Sequence, residues 1–400
     1  VAPATASRPN PQQMNALIRA AVLAQAVRVR QPIFNSAWTP SQQATLNIQP
    51  KYIGLVRRFT VVITGQVKNN DGANTATLTD AGLANLLDFN QGVVLTDLNG
   101  YNRIQTGLWH VLIVDSVKRQ KPFGTKFTPE AGTPWQTDGA WQPYQQPSST
   151  IAPGATTSFR LQFDIPVCYA PDDLRGAIWL SVVNATMQLA LTINNSLVVA
   201  STADSTQAMY TIAAASVANV ALQNLNVAVY QDYLDQLPAG QGGQPALPML
   251  DLATVYELKK SQVPNIAQAV ENPLPYTSLR RFLSTTAIYD SAPAAAAGSN
   301  RFAGSDVSYW ALQTASQLYL WRLDPQMFAN EVREMIGWDL PAGYYHFSHR
   351  RQPIYTPTSG NIQLLLNPIT ANAGAIVHLG YEDFADVNLI TQAPSIPGAA

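Results

Sequence analysis

The sequence is poor in charge and almost without cysteine. One of its 400 residues is cysteine, Cys168, which excludes an intrachain disulfide and a cysteine-based metal cluster. Cys168 lies in the largely apolar run Phe163–Tyr169 and reads as a small buried hydrophobe. Charged residues make up 12% of the chain, against roughly 25% in an average soluble domain. That shortfall hints at surface buried against copies or partners. The net charge of −1 gives no global signature of nucleic-acid binding. No run of about 18 apolar residues occurs that could span a membrane. The N-terminus is polar and proline-bearing, and Arg19 interrupts the apolar run behind it, so no signal peptide is expected. Val1 is expected to follow a removed initiator Met. A further absence is local. Residues 1–70 carry Arg8, Arg19, Arg28, Arg30, Lys51, Arg57, Arg58 and Lys68, and the first acidic residue is Asp71.

Apolar residues make up 46%, enough for a sizeable core, and the length suggests two or three domains. The clearest helix lies in the basic segment. Asn10 suits its cap and Pro11 its first turn. Met14, Leu17, Ile18, Ala21 and Val22 share one face, and Val27, Val29 and Pro32 lead out of it. Such a helix could pack on its parent domain. It could also lie as an arm against an anionic lipid leaflet or a neighbouring subunit, since burial and charge attraction add at a lipid surface. From residue 50 onward the texture is mostly β. Tyr52–Val67, Gly107–Val117, Thr157–Val167, Ala177–Val183, Gln188–Ile193 and Val220–Tyr230 are the candidate strands of the first half. A short helix is expected near Asp80–Leu87, capped by Thr79 or Asp80, with Leu83, Leu86 and Leu87 inward. Three glycines and three prolines in 236–250 break any central strand and mark the best domain boundary. Beyond it, Arg281–Tyr289, Trp310–Trp321, Tyr344–His349, Asn361–Leu366 and Ile376–Tyr381 read as strands. A second helix is expected from Asp324 and Pro325, through Phe328, Val332 and Ile336, to Gly337. Two β-rich halves, each with a helix in a connection, point to tandem sandwiches or jelly rolls.

Reactive groups are scattered. His346 and His349 stand three apart, on opposite faces of a strand, which suits a metal poorly. No HExxH, Walker loop or GxSxG occurs. Asp172-Asp173 and Glu382-Asp383 are neighbours along the chain whose side chains point apart, so neither is a ready acid/base pair. Trp135 and Trp141 stand in a Gly/Pro/Gln-rich loop that could bind carbohydrate or anchor an interface. A carbohydrate-binding jelly-roll protein such as a receptor-binding spike is therefore an alternative function. A glycosidase using Asp172, Asp173 or Glu382 is another.

Tyr230–Pro238 (YQDYLDQLP), followed by Gly240-Gln241, Leu247-Pro248 and Asp251-Leu252, resembles the inter-barrel segment of tectivirus double jelly-roll major capsid proteins. Tyr230, Tyr233, Leu234, Asp235, Leu237, Pro238 and Gly240 carry that likeness. Gly107–His110, Leu283–Thr285, Arg322–Pro325, Pro353–Thr356, Gly360-Asn361 and Gly380–Glu382 follow the family in the same order. The loops 119–156 and 286–306 look different. The resemblance implies a mainly β fold of two tandem eight-stranded jelly rolls with an N-terminal helix and a few short helices in loops. It implies a membrane-facing arm over 1–31, a first roll over 32–237 and a linker over 238–250. A second roll over 251–388 and a tail over 389–400 complete the division. It further implies a structural capsid protein without cofactor or catalysis, located in the virion. Its homotrimers would form pseudo-hexagonal capsomers tiling an icosahedral shell around an internal lipid membrane. Neighbouring capsomers, other capsid and vertex proteins and the inner membrane would be partners, with no direct nucleic acid. In the arm, Met14, Leu17, Ile18 and Val22 would pack, and Arg19, Arg28 and Arg30 would face lipid phosphates or an adjoining subunit.

Overall fold

The computed structural model describes residues 10–78, 82–119, 150–170, 172–180, 186–201, 207–276, 280–291, 306–314, 319–337, 340, 344–349, 354–355 and 362–386. Its α-helices among these residues are α1 (Pro11–Gln25), α2 (Leu108–Arg119), α3 (Met249–Ala253) and α4 (Pro325–Ile336). The α1 cap is a reciprocal box: Asn10 Oδ1 accepts from the Gln12 N–H at 2.6 Å, and the Gln13 side chain accepts from the Asn10 N–H. Asp324 caps α4 by accepting from the Gln326 and Met327 N–H groups, and Gly337 ends it in the left-handed region at φ 82°.

Two sets of strands follow one another. The first is β1 (Val27–Ala37), β2 (Thr45–Ile48), β3 (Leu55–Asn69), β4 (Val93–Thr96), β5 (Asn102–Thr106), β6 (Thr156–Pro166), β7 (Gln188–Thr192) and β8 (Val220–Asp235). The second is β9 (Thr254–Val263), β10 (Asn272–Pro275), β11 (Arg280–Asp290), β12 (Val307–Gln313), β13 (Tyr319–Leu323), β14 (Tyr344–Ser348), β15 (Gln363–Pro368) and β16 (Ile376–Asp386). The first set forms one sheet in the order β1-β8-β3-β6 and another in the order β2-β7-β4-β5. The second set repeats both orders, as β9-β16-β11-β14 and β10-β15-β12-β13. Each set is thus an eight-stranded jelly roll, two antiparallel sheets closing over a common core.

The repeat reaches down to single residues. In the first roll the β3–β8 register slips between Val56↔Tyr233 and Arg58↔Asp232, which sets Arg57 in a bulge. In the second, β11–β16 slips between Phe282↔Asp383 and Ser284↔Glu382, leaving out Leu283. The bulged carbonyl is used alike in both. Arg57 O accepts from Val167 N at 2.9 Å and Cys168 N at 3.0 Å, and Leu283 O accepts from His349 N at 2.7 Å. Each time the donor lies just past the sheet's other end strand, β6 or β14. A second slip is shared as well, between Leu95↔Ile104 and Thr96↔Asn102 and between Leu312↔Trp321 and Gln313↔Tyr319.

The two rolls meet through a sheet edge. β5, an end strand of the first roll, pairs in parallel with β9, an end strand of the second, at Leu258↔Ile104 and Lys259↔Gln105. One buried cluster runs through both rolls, from Phe59, Val61 and Ile63 to Trp310, Leu364 and Tyr381. The helix α2 sits where they join, in the first roll's connection between β5 and β6, as α4 sits between β13 and β14.

Several expectations need correction. Gly107–Val117 is not a strand. It contributes most of α2, whose residues from Leu108 to Val117 are buried apart from half-buried Asp115. A segment buried on nearly all sides has no polar stripe, so its β-branched composition misleads. Trp310–Trp321 is two antiparallel strands, β12 and β13, and not one. The expected helix at Asp80–Leu87 is a 3₁₀ turn over Gly82–Asn85; Leu83, Leu86 and Leu87 are buried, while Thr79 and Asp80 lie outside the described residues. Val27–Gln31, expected in the arm, already pair with β8 as part of β1. Of Ala177–Val183, Ile178–Trp179 pairs with β3, and 181–183 lie outside the described residues. Trp135, Trp141, Asn361 and the tail 389–400 lie outside them too.

The close approach of α2 to the second roll can be tested at Gly380 on β16. A Cβ there would come within 2.5 Å of the His110 ring on α2. Gly380→Ala should therefore cost about 1–3 kcal/mol in denaturant unfolding. Gly72→Ala, where a Cβ meets nothing within 4 Å, should stay within about 0.5 kcal/mol.

Candidate functional site

The acid-free N-terminal segment finds its acids far along the chain. Asp232 of β8 is fully buried and faces four arginines. Arg57 reaches it at 2.7 Å, Arg28 at 2.8 Å, Arg58 at 3.3 Å and Arg30 at 3.4 Å. Arg58 also holds Asp164 at 2.5 Å, and Thr60 donates to the same carboxylate at 2.6 Å. Burial alone would raise the Asp232 carboxyl, but the Arg28 hydrogen bonds and the charges of Arg57 and Arg58 outweigh it and hold it below the usual range. Four guanidiniums against two carboxylates leave positive charge over. It lies with Arg28 and Arg30, whose side chains are 50% and 44% exposed.

The helix α1 is docked onto the inter-roll connection by polar and apolar contacts. Asn15 donates to Asp251 Oδ1 at 2.9 Å and accepts from the Leu250 N–H at 3.0 Å, and Arg19 reaches Asp251 at 3.4 Å. Val22 is fully buried in a small cluster with Leu55, Cys168, Leu174 and Leu234, with Ile18 and Leu237 packed against it. Burial pushes the Cys168 thiol up to about 12, so it remains protonated and inert. Met14 and Leu17 do not pack; they are 44% and 63% exposed, as Met249 and Leu250 of α3 are 65% and 40% exposed. The sequence places the two pairs in one neighbourhood, because Asn15 binds Leu250 and Asp251. The resemblance-bearing segment divides accordingly. Tyr230, Tyr233, Leu234 and Asp235 complete β8, with the Tyr233 hydroxyl donating to Gln31 at 3.2 Å. Pro238 and Gly240 form the turn beyond, Pro238 O accepting from Ala246 N and Gly240 N donating to Gln244 O.

At the seam, the bulge of the second roll sets Glu382 where the first roll has Asp232. Its cation comes from the other roll. Lys118 of α2 reaches Glu382 at 2.9 Å, and Tyr256 and Ser284 donate to it at 2.8 Å and 2.6 Å. Lys118 also stands over the rings of Tyr169 and Tyr256. One position along β16, Asp383 faces Glu257 across the β9–β16 pair. Arg280 binds Glu257 at 2.6 Å and stands 3.6 Å from Asp383. Burial and the charge of Glu257, only partly offset by Arg280 and Lys259, push Asp383 up to about 8.

None of these groups forms a reactive constellation. Asp173 is bound by Arg175, and Glu382 is neutralised by Lys118. The histidines are enclosed: burial pushes His110 and His378 down to about 3 and His349 to about 4. His346 bonds Thr286, whereas His349 bonds Tyr276, which bonds the adjacent Thr285. Among the described residues no three His, Cys, Asp or Glu side chains are grouped to hold a metal. No described helix is long and apolar enough to cross a membrane. The Lys118–Glu382 pair escaped sequence reasoning, although the motifs Gly107–His110 and Gly380–Glu382 flank it. The glycine at 380 was the available signal, since it admits the His110 ring.

Two rolls of one connectivity, fused through a sheet edge, define a double jelly-roll subunit. The comparisons agree. The family described as P3 major capsid protein, N-terminal, matches residues 11–237, and its C-terminal counterpart matches 253–397. The chain is 32% identical over 391 residues to the major capsid protein P3 of Enterobacteria phage PRD1, covering 97% of this chain and 95% of that one. Among solved structures, the STIV MCP superposes with a TM-score of 0.64 at 10% identity, over 92% of this chain and 99% of that chain. A chain in the atomic structure of Sulfolobus Turreted Icosahedral Virus gives 0.61 at 10% identity, over 90% of this chain and 91% of that chain. The chain belongs to the P3 major capsid protein family, and its place is the capsid shell of a virion.

Two measurements check this electrostatics. Asp232→Asn leaves the buried Arg57 without its countercharge and should cost about 3–5 kcal/mol, whereas Arg28→Ala, at a half-exposed pair, should cost under about 1 kcal/mol. Asp383 is raised above its ordinary 3.8, so the folded state favours its protonated form. The stability this lends is complete below the ordinary value and is lost as pH rises through about 8. The Asp383 contribution should thus lower the unfolding temperature between about pH 4 and about pH 8, and Asp383→Asn should flatten that slope.

Proposed function

We propose that the chain is a purely structural shell component. It trimerises into pseudo-hexagonal capsomers that tile an icosahedral shell around an internal lipid membrane. The observation that carries the reading is the repeat of the roll's strand order within one chain. Two rolls already stand side by side through β5 and β9, so three chains supply six similar rolls for a closed ring. The low charge content suits subunit contacts with apolar centres.

In this reading α1 and α3 face the membrane together. Met14, Leu17, Met249 and Leu250 offer apolar side chains and Arg28 supplies charge, while Arg30 is left to face an adjoining subunit. Arg19 serves Asp251 instead. The neighbouring capsomers, vertex proteins and membrane are then the partners, and nucleic acid is not contacted.

Light scattering on the purified chain should give about three times its 43.3 kDa mass. A monomer at every concentration would overturn the capsomer reading. Leu17→Asp with Met249→Asp should leave the trimer intact and abolish flotation with phosphatidylglycerol vesicles; undiminished flotation would remove the membrane role of this face.

A further inference from the structure

The seam inside the chain identifies the joint between chains. Two of the end strands, β5 and β9, are consumed by it. Their counterparts in the repeat are β13, which ends the second roll's sheet as β5 ends the first's, and β1, which ends the first roll's sheet as β9 ends the second's. Both counterparts pair on one side only among the described residues. We propose that β13 of one copy pairs in parallel with β1 of a second copy, reproducing the β5–β9 seam. The proposal rests on the trimer reading above and names its interface.

The repeat fixes the register. The shared slip on β13 and β5 equates Trp321 with Ile104 and Arg322 with Gln105. On the other side, Arg30 faces Asp232 as Leu258 faces Glu382, so Arg30 corresponds to Leu258 and Gln31 to Lys259. The observed pairs Leu258↔Ile104 and Lys259↔Gln105 therefore translate into Arg30 opposite Trp321 and Gln31 opposite Arg322 of the neighbouring copy.

Exposure supports the match. At the seam Ile104 and Leu258 are buried, and Arg103 is 8% exposed. Leu320, the counterpart of Arg103 at the slip, is 51% exposed, and Tyr319 beside it is 41% exposed. Ile104, which pairs at the seam, is buried, whereas its counterpart Trp321 is half-buried and Arg322 beside it exposed, and an uncovered edge with apolar side chains is a template for another strand. The side chains also suit each other. Arg30 is 44% exposed, and a guanidinium opposite an indole forms a cation–π pair. The joint is head-to-tail, since β13 and β1 are different surfaces, so it propagates from copy to copy until the ring closes.

The test is cysteine cross-linking of the full chain. Gln31→Cys combined with Arg322→Cys should give covalent dimers and trimers on mild oxidation, reverting to monomer on reduction, with neither single variant doing so. Gln105→Cys with Lys259→Cys, the observed pair, should close within one chain and serves as the geometric control. A trimer by light scattering in which the control closes and the 31/322 pair does not would overturn the joint while leaving the trimer standing. A monomer would overturn both. Hydrogen exchange on the unmodified chain gives an independent reading: amides of 319–323 should exchange at least about tenfold more slowly in the trimer than in a dissociated sample. Equal exchange in the two would overturn the joint whichever way the cysteines behave.

Discussion

The ion pair between Lys118 and Glu382 makes two rolls into one body. Glu382 is fully buried, placed there by the slip that β11 and β16 share with β3 and β8. In the first roll the corresponding acid, Asp232, collects its cations from its own roll. In the second roll the cation arrives on α2, which belongs to the first. Removing Lys118 would strand the buried Glu382, so the second roll is electrostatically incomplete alone. The contacts beside it follow from the same placement: His110 against Gly380, Trp109 near Tyr344, and Tyr256 shared between Lys118 and Glu382.

Much of this architecture was legible in the residues. The caps Asn10 and Asp324 and the stop at Gly337 announced α1 and α4 because capping is local chemistry, decided within a few residues. The Gly/Pro cluster at 236–250 marked the break between rolls for the same reason. The helix α2 was misread because its neighbours on nearly every side come from distant strands, which removes the polar face that identifies a helix. The strand β1 was passed over because most of its positions are exposed and Pro32 interrupts it; its identity comes from the pairing with β8, some two hundred residues on.

The charge pattern shows the limit of local reading most clearly. A stretch with many arginines and no acid looks like a basic tail. In the fold, Arg57 and Arg58 are core groups on a bulged strand, and Asp232, Asp164 and Asp251 are their and Arg19's complements. Segregation along the sequence became pairing in space because the first and last strands of a jelly roll lie side by side. What remains for an outside partner is the residue of that sum, the half-exposed Arg28 and Arg30, together with the apolar tips of α1 and α3.

The position of α2 also bears on how the protein is made. As the chain leaves the ribosome, β8 must emerge before β1 and β3 acquire the strand between them. Even then α2 is covered only on its first-roll side, by Phe89, Tyr169 and β6, because Tyr256 and Glu382, which complete its surroundings, belong to the second roll. A nascent first roll thus carries a hydrophobic helix with one face open until the second roll is made. Completion of the second roll, and not of the first alone, is the event that closes the surroundings of α2.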